Sequence, residues 1–187
     1  LGAGKRGVDL GPSALRYADI GASLSALGHP VLDLGNVQLP ASPELGTDPR
    51  LRYLPTISAF CATVADRVGE AVAAGRIPLI LGGDHSLEYP NIAGLADVHG
   101  KGSFGVVHFD SHFDAGKDQP HFITHGAPVY RAVKEGHVPA KNFIQVGLRG
   151  PWPGQDGFEW MRNNGMRYHT MAEVEKRGWD AVMKRAL

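Results

Sequence analysis

Gly-Val-Val-His-Phe-Asp-Ser-His-Phe-Asp-Ala-Gly, residues 105–116, decides how the rest of the chain is read. An apolar, strand-like run containing Val106, Val107 and Phe109 empties into Asp110, His112 and Asp114, spaced two apart. Successive side chains of a strand point to opposite faces, so this alternation turns three strong metal ligands roughly one way. Ordinary loops rarely collect two carboxylates and an imidazole so closely, and the stretch reads as half of a hydrolytic metal site.

Working outward, the preceding apolar run Ile77-Pro78-Leu79-Ile80-Leu81 reads as a continuous strand that ends in Gly82-Gly83-Asp84-His85-Ser86, with a helix over 87–95. Before it, Ile57, Phe60, Cys61, Val64, Val68, Ala71 and Val72 recur at helical spacing between Pro55 and Gly75. Cys61 lies on that stripe and reads as a buried structural thiol. Toward the N-terminus, Gly11 to Arg16 predicts a turn and helix with Pro12 in its first turn, and 31–35 a strand. Downstream follow a helix near 129–135, a strand over 143–147, a helix over 156–163 and a short strand over 166–169. Thr170 to Glu173 has the spacing of a capping box, and Gly178 breaks the last helical region in two. Strands alternating with helices, several apolar on both faces, predict a single α/β domain with a mostly parallel sheet covered on two sides. Ligands bind such sheets beyond the carboxyl ends of the strands, where His85 and the 110–114 cluster both fall.

His85, Asp110, His112 and Asp114 offer two imidazoles and two carboxylates, a donor set for a divalent metal of intermediate hardness. Asp110, central among them, is the natural candidate to bridge two ions, and a metal pair acidifies a bridging water. Taken singly, Asp84 and Asp110 also suit a helix cap and a turn. His125, between Thr124 and Gly126, either carries a proton to a leaving group or bonds backbone in its loop; spacing leaves both open. His108 shares a strand face with Asp110 and is assigned to packing or support of that carboxylate. His29, His99, His121, His137 and His169 fall in turns or termini and are expected at the surface.

The 187 residues carry 19 basic and 19 acidic side chains, which gives no support for nucleic acid or an anionic membrane as partner. One cysteine forms no internal disulfide and fits a reducing compartment. With no membrane-length apolar run and no signal-like start, a cytoplasmic location is expected.

Three motifs in order, Gly-Gly-Asp-His-Ser-Leu at 82–87, Asp-x-His-x-Asp at 110–114 and His-Gly-x-Pro-Val at 125–129, resemble the ureohydrolases, the family of arginase, agmatinase and guanidino-acid hydrolases. The segment from Arg6 to Arg16 is similar to the family's N-terminal stretch, so the resemblance covers essentially the whole chain. It implies a three-layer α/β/α fold, a dimanganese (Mn2+) centre, trimers or hexamers, and hydrolysis of a small guanidino substrate to urea and an amine. It further implies that His85 and Asp114 bind one metal, that His112 binds the other, and that Asp110 bridges. Asp114 would also orient the bridging hydroxide that attacks the guanidinium carbon, and His125 would pass a proton to the departing amine.

Two departures shape the expectation. The family draws further ligands from a later Asp-x-Asp segment, and this sequence stops at Leu187 before one. A fragment is therefore expected, binding metal weakly or at one site and showing little activity alone; the rival reading is a non-catalytic α/β scaffold whose ligands are present but whose site is unfinished. Second, residues 120–124 lack the Ser-Gly-Asn of arginases, and Gly147-Leu148-Arg149 runs into Gly150-Pro151-Trp152-Pro153-Gly154-Gln155 without an acid to hold an α-amino group. An unpaired buried ammonium is costly, so agmatine or a guanidino acid is expected over arginine, with Trp152 walling the substrate pocket. The earlier half, including Asp33-Leu34-Gly35-Asn36-Val37, looks more like arginases.

Overall fold

The computed structural model describes residues 7–39, 44–116, 123–151 and 154–187. Helices α1 (Gly11–Tyr17) and α2 (Ile20–Ala26) open the chain, followed by the long α3 (Leu54–Ala73) and α4 (Glu88–His99). Strand β1 (Val106–Phe109), helix α5 (Pro128–Lys134), strand β2 (Phe143–Leu148), helix α6 (Gln155–Asn163) and strand β3 (Arg167–Thr170) then alternate. Helices α7 (Met171–Arg177) and α8 (Trp179–Ala186) complete the order. The three strands form one sheet in the order β1-β2-β3, both pairings parallel. The α/β class is as the alternation required.

Central β2 is buried throughout, and its alternation divides the core. Phe143 joins Val129, Ala132, Met161 and Ile92 from α5, α6 and α4 on one face, while Ile144 and Val146 meet Val174, Val182 and Ala186 from α7 and α8 on the other. Helix–sheet–helix layering follows from that split. Gly147 interrupts the alternation: its φ of +103° accompanies a register irregularity between Val146 and Leu148, and a Cβ there would lie 3.3 Å from the Asp110 carbonyl oxygen. Glycine thus lets β2 pass close to the end of β1, where the acidic cluster begins.

Cys61, Val64 and Val68 of α3 are buried, as the helical stripe required, and burial pushes the Cys61 thiol up to about 11. The α3–α4 crossing is tightest at Gly94, where a Cβ would collide with the Ala65 carbonyl oxygen and stand 2.9 Å from Val68 Cβ. Gly94→Ala is expected to lower stability by about 1–3 kcal/mol, the range for overpacking a close contact. A thermal midpoint unchanged from the parent would show that the two helices part without cost.

Two expected strands do not form. Residues 31–35 are irregular, with Val31, Leu32 and Leu34 exposed. Asp33 instead accepts a two-pronged contact from Arg16 (2.7 and 2.8 Å) and one from Gly35 N at 2.8 Å, and Gly35 turns the chain at φ +71°. The Arg16 guanidinium holds the Asp33 carboxyl down to about 2. Residues 77–81 likewise pair with nothing among the described residues, and Ile77 and Leu79 are 94% and 59% exposed. A strand needs a ladder partner, which apolar composition alone does not supply. The remaining elements match within a few residues: Thr170 Oγ1 accepts from Glu173 N at 3.3 Å, and Gly178 separates α7 from α8. His137 and His169 are corrections, buried at 6% and 7% exposure rather than on the surface. One ring nitrogen of each meets a carboxylate, His137 Nε2 at Glu135 (3.3 Å) and His169 Nδ1 at Glu173 (3.0 Å), which offsets part of the cost of burial. No helix among the described residues is long and apolar enough to cross a membrane.

Candidate metal centre

The acidic cluster sits where β1 ends. Asp110 makes a tight turn there, its Oδ1 accepting from His112 N at 2.9 Å. Asp114 adopts a left-handed backbone with φ +42°, a conformation that costs non-glycine residues energy and that Asp tolerates better than most. It is 8% exposed, and its carbonyl accepts from Val129 N at 3.1 Å, tying the loop to the first turn of α5. From the neighbouring turn, Asp84 caps the segment His85–Leu87 by accepting from Ser86 N at 2.9 Å, which aims the His85 ring at the cluster.

His85 Nδ1 lies 2.5 Å from Asp114 Oδ2 and 3.8 Å from Asp110 Oδ2. The other Asp110 oxygen, Oδ1, lies 3.4 Å from His112 Nδ1. Asp110 therefore turns one oxygen toward each of the two imidazoles. Burial opposes charge on His85, but the bond to Asp114 and the charges of Glu88, Asp114 and Asp110 outweigh it and raise its pKa. Burial also works against ionised Asp110, and the His112 N–H bond with nearby His108 and His85 outweighs it, so Asp110 stays below the usual carboxylate range. His112 itself is 65% exposed in its side chain.

His108 is buried behind Asp110, its Nε2 3.4 Å from Asp110 Oδ2 and its Nδ1 2.9 Å from Gln145 Nε2. Gln145 Nε2 also donates to the Phe113 carbonyl at 2.6 Å. Only the NH2 end of an amide can face a carbonyl, so the Phe113 contact fixes the Gln145 orientation. His108 Nδ1 must then accept, which places its proton on Nε2, toward Asp110. Although His85, His108 and Asp110 are close enough to share an ion, that tautomer makes His108 a donor to Asp110. Burial lowers the His108 pKa and keeps the ring neutral.

These groups open onto a cavity of about 710 Å³, lined by Asp84, His85, Asp110, His112, Asp114 and, from other elements, His125, Asp156 and Trp160. His125 arrives because its loop is stitched to the cluster: Gly116 N donates to Gly126 O at 3.0 Å, and a Cβ at Gly116 would stand 2.9 Å from that oxygen. Trp152 lies outside the described residues. Sequence reading missed Gln145, Glu88, Asp156 and Trp160. Gln145 was signalled by a lone polar residue inside an apolar strand, and Glu88 by its position three residues after His85. Asp156 and Trp160 reach the cavity only because α6 folds back over it. Burial pushes the Glu88 carboxyl up to about 7.

The residue pattern described as Arginase family matches residues 1–187. An arginase of Brevibacillus brevis is 34% identical over the whole of this chain, which spans 66% of that relative's length. The human mitochondrial guanidino acid hydrolase is 38% identical over 57% of the chain and 30% of its own length. Among solved structures, Bacillus caldovelox arginase in its native form superposes with a TM-score of 0.86 at 30% identity, covering all of this chain and 66% of that one. The chain thus spans about two thirds of the length of these arginases.

Proposed function

The chain belongs to the arginase family, and from that premise we propose that the protein hydrolyses a guanidino group to urea and an amine. The observation that supports this most is the meeting of His85 Nδ1 with Asp114 at 2.5 Å and Asp110 at 3.8 Å on the wall of one acid-lined cavity. His85, Asp110, His112 and Asp114 would hold the divalent metal, and their nitrogen and carboxylate donors suit manganese. When bound, the metal supplies a water acidified enough to act as nucleophile near neutral pH. Asp110, with an oxygen toward each imidazole, is assigned as the bridging ligand. Asp114, held by its backbone bond to α5, also orients the nucleophile. The guanidinium cation is drawn to a cavity bearing Asp84, Asp110, Asp114 and Asp156. His125, on the wall of that cavity, gives a proton to the amine nitrogen as the carbon–nitrogen bond breaks. A homo-oligomer in the reducing cytoplasm completes this reading.

Asp156 bears on the substrate. It stands in the first turn of α6 and lines the cavity, supplying an acid that residues 150–155 lack. A carboxylate there favours a substrate whose far end is cationic and repels one that carries a carboxylate, as a guanidino acid and the zwitterionic end of arginine both do, so agmatine is the preferred substrate. Arginine is the second reading, carried by likeness to the Brevibacillus arginase. Urea release from agmatine, arginine and 4-guanidinobutyrate by the manganese-loaded full-length protein tests both. Agmatine is expected to turn over fastest; fastest turnover of arginine selects the second reading, and no urea from any of the three overturns the assignment.

A further inference from the structure

We propose that Glu88 is the outer member of a carboxylate–imidazole–metal triad, holding the His85 ring so that its Nδ1 is left to bind the ion. The inference rests on the metal-site reading above and not on the choice of substrate. The two ring nitrogens of His85 face different neighbours. Nδ1 looks toward Asp114 and Asp110, at 2.5 and 3.8 Å, while Nε2 looks toward Glu88 Oε2 at 3.5 Å. A neutral imidazole has one lone pair and one N–H, so binding a cation through Nδ1 requires the proton on Nε2. That N–H then points at Glu88.

The state of Glu88 agrees. Its side chain is only 11% exposed, and Oε2 is buried without a hydrogen-bond partner among the described residues. A buried carboxylate without a partner is destabilising, and such an acid persists where a bound state offsets its cost. Glu88 opens α4, where any acid favours the helix dipole, yet that effect operates equally well from an exposed side chain. Burial beneath His85 is what the dipole does not explain. Carboxylates that orient ligating histidines raise the basicity of the metal-bound nitrogen and fix its tautomer.

The test uses the full-length protein with Glu88→Gln and Glu88→Leu, reading the manganese dissociation constant by equilibrium dialysis and the thermal midpoint without metal. Glu88→Leu is expected to weaken manganese binding by about 10–100-fold, as loss of an outer carboxylate does elsewhere. Glu88→Gln keeps an acceptor and is expected to lose less. Without metal, Glu88→Leu is expected to melt close to the parent, because it removes both the cost of burying the carboxyl and its attraction to the His85 ring. Unchanged metal affinity in Glu88→Leu overturns the triad, and so does a metal-free midpoint that falls along with affinity, which marks a merely structural role. A full-length protein that binds manganese and responds to Glu88→Leu, yet releases no urea from any guanidino compound, sinks the functional reading and leaves the triad standing.

Discussion

Asp110→Asn in the full-length protein is expected to cost more than the ~10–100-fold loss of metal affinity or activity that removing an outer partner brings. Urea release is expected to fall by a thousandfold or more, on the order of losing a major electrostatic element of a hydrolytic site. The reason lies in the two oxygens. Asp110 Oδ2 looks toward His85 Nδ1 and accepts from His108 Nε2, while Oδ1 looks toward His112 Nδ1. Asparagine offers one neutral oxygen where two anionic ones are needed, and its NH2 would confront a cation. The same substitution keeps the turn that Asp110 caps, since an amide oxygen can still accept from His112 N, and its NH2 then faces the His108 Nε2–H, a local cost small beside the loss of the metal site. Metal content, urea release and the metal-free thermal midpoint therefore separate the two effects. Loss of the first two with only a small fall in the midpoint is the expected pattern; full metal content in Asp110→Asn contradicts the bridging role.

Phe143→Ala is expected to be the most destabilising single truncation, at about 3–5 kcal/mol for a buried phenylalanine. Phe143 is wholly buried at the start of β2 and joins residues from α4, α5 and α6 in the larger core. Its ring also stands edge-on to His108, centroids 6.0 Å apart at 85°. For a protein of this size that loss lowers the thermal midpoint by on the order of 10 °C. Removing the ring also takes a wall from His108, so manganese affinity is expected to fall even at temperatures where the variant is folded. Calorimetry and metal titration read the two consequences; a midpoint shift of only a degree or two means the site collapses around the cavity.

Much of this molecule was legible in the chain because local pattern and burial agree along it. Val64 and Val68 repeat at helical spacing and are buried on α3; Phe143, Ile144 and Val146 place apolar side chains on both faces of β2, between two helical layers. The 77–81 and 31–35 runs misled because apolar composition reports a tendency toward burial, whereas a strand is a pairing with something else. His137 and His169 were read as surface residues from their positions in turns, and the carboxylates that let them be buried, Glu135 and Glu173, are two and four residues away. That spacing was visible and carried the information. The candidate ligands stood out because three of them stand two residues apart where β1 ends and the fourth follows a Gly-Gly turn. What surrounds them did not: Gln145 comes from the neighbouring strand, and Asp156 from a helix that reaches the cavity only in three dimensions.

The most direct measurement is a crystal of the full-length protein soaked in manganese, with anomalous scattering locating the ions. Coordination by His85 Nδ1, Asp110 and Asp114 predicts a peak within ligating distance of all three, with His85 Nε2 turned to Glu88. Manganese at saturating concentration that avoids these three side chains, or binds them through His85 Nε2, contradicts the proposed centre.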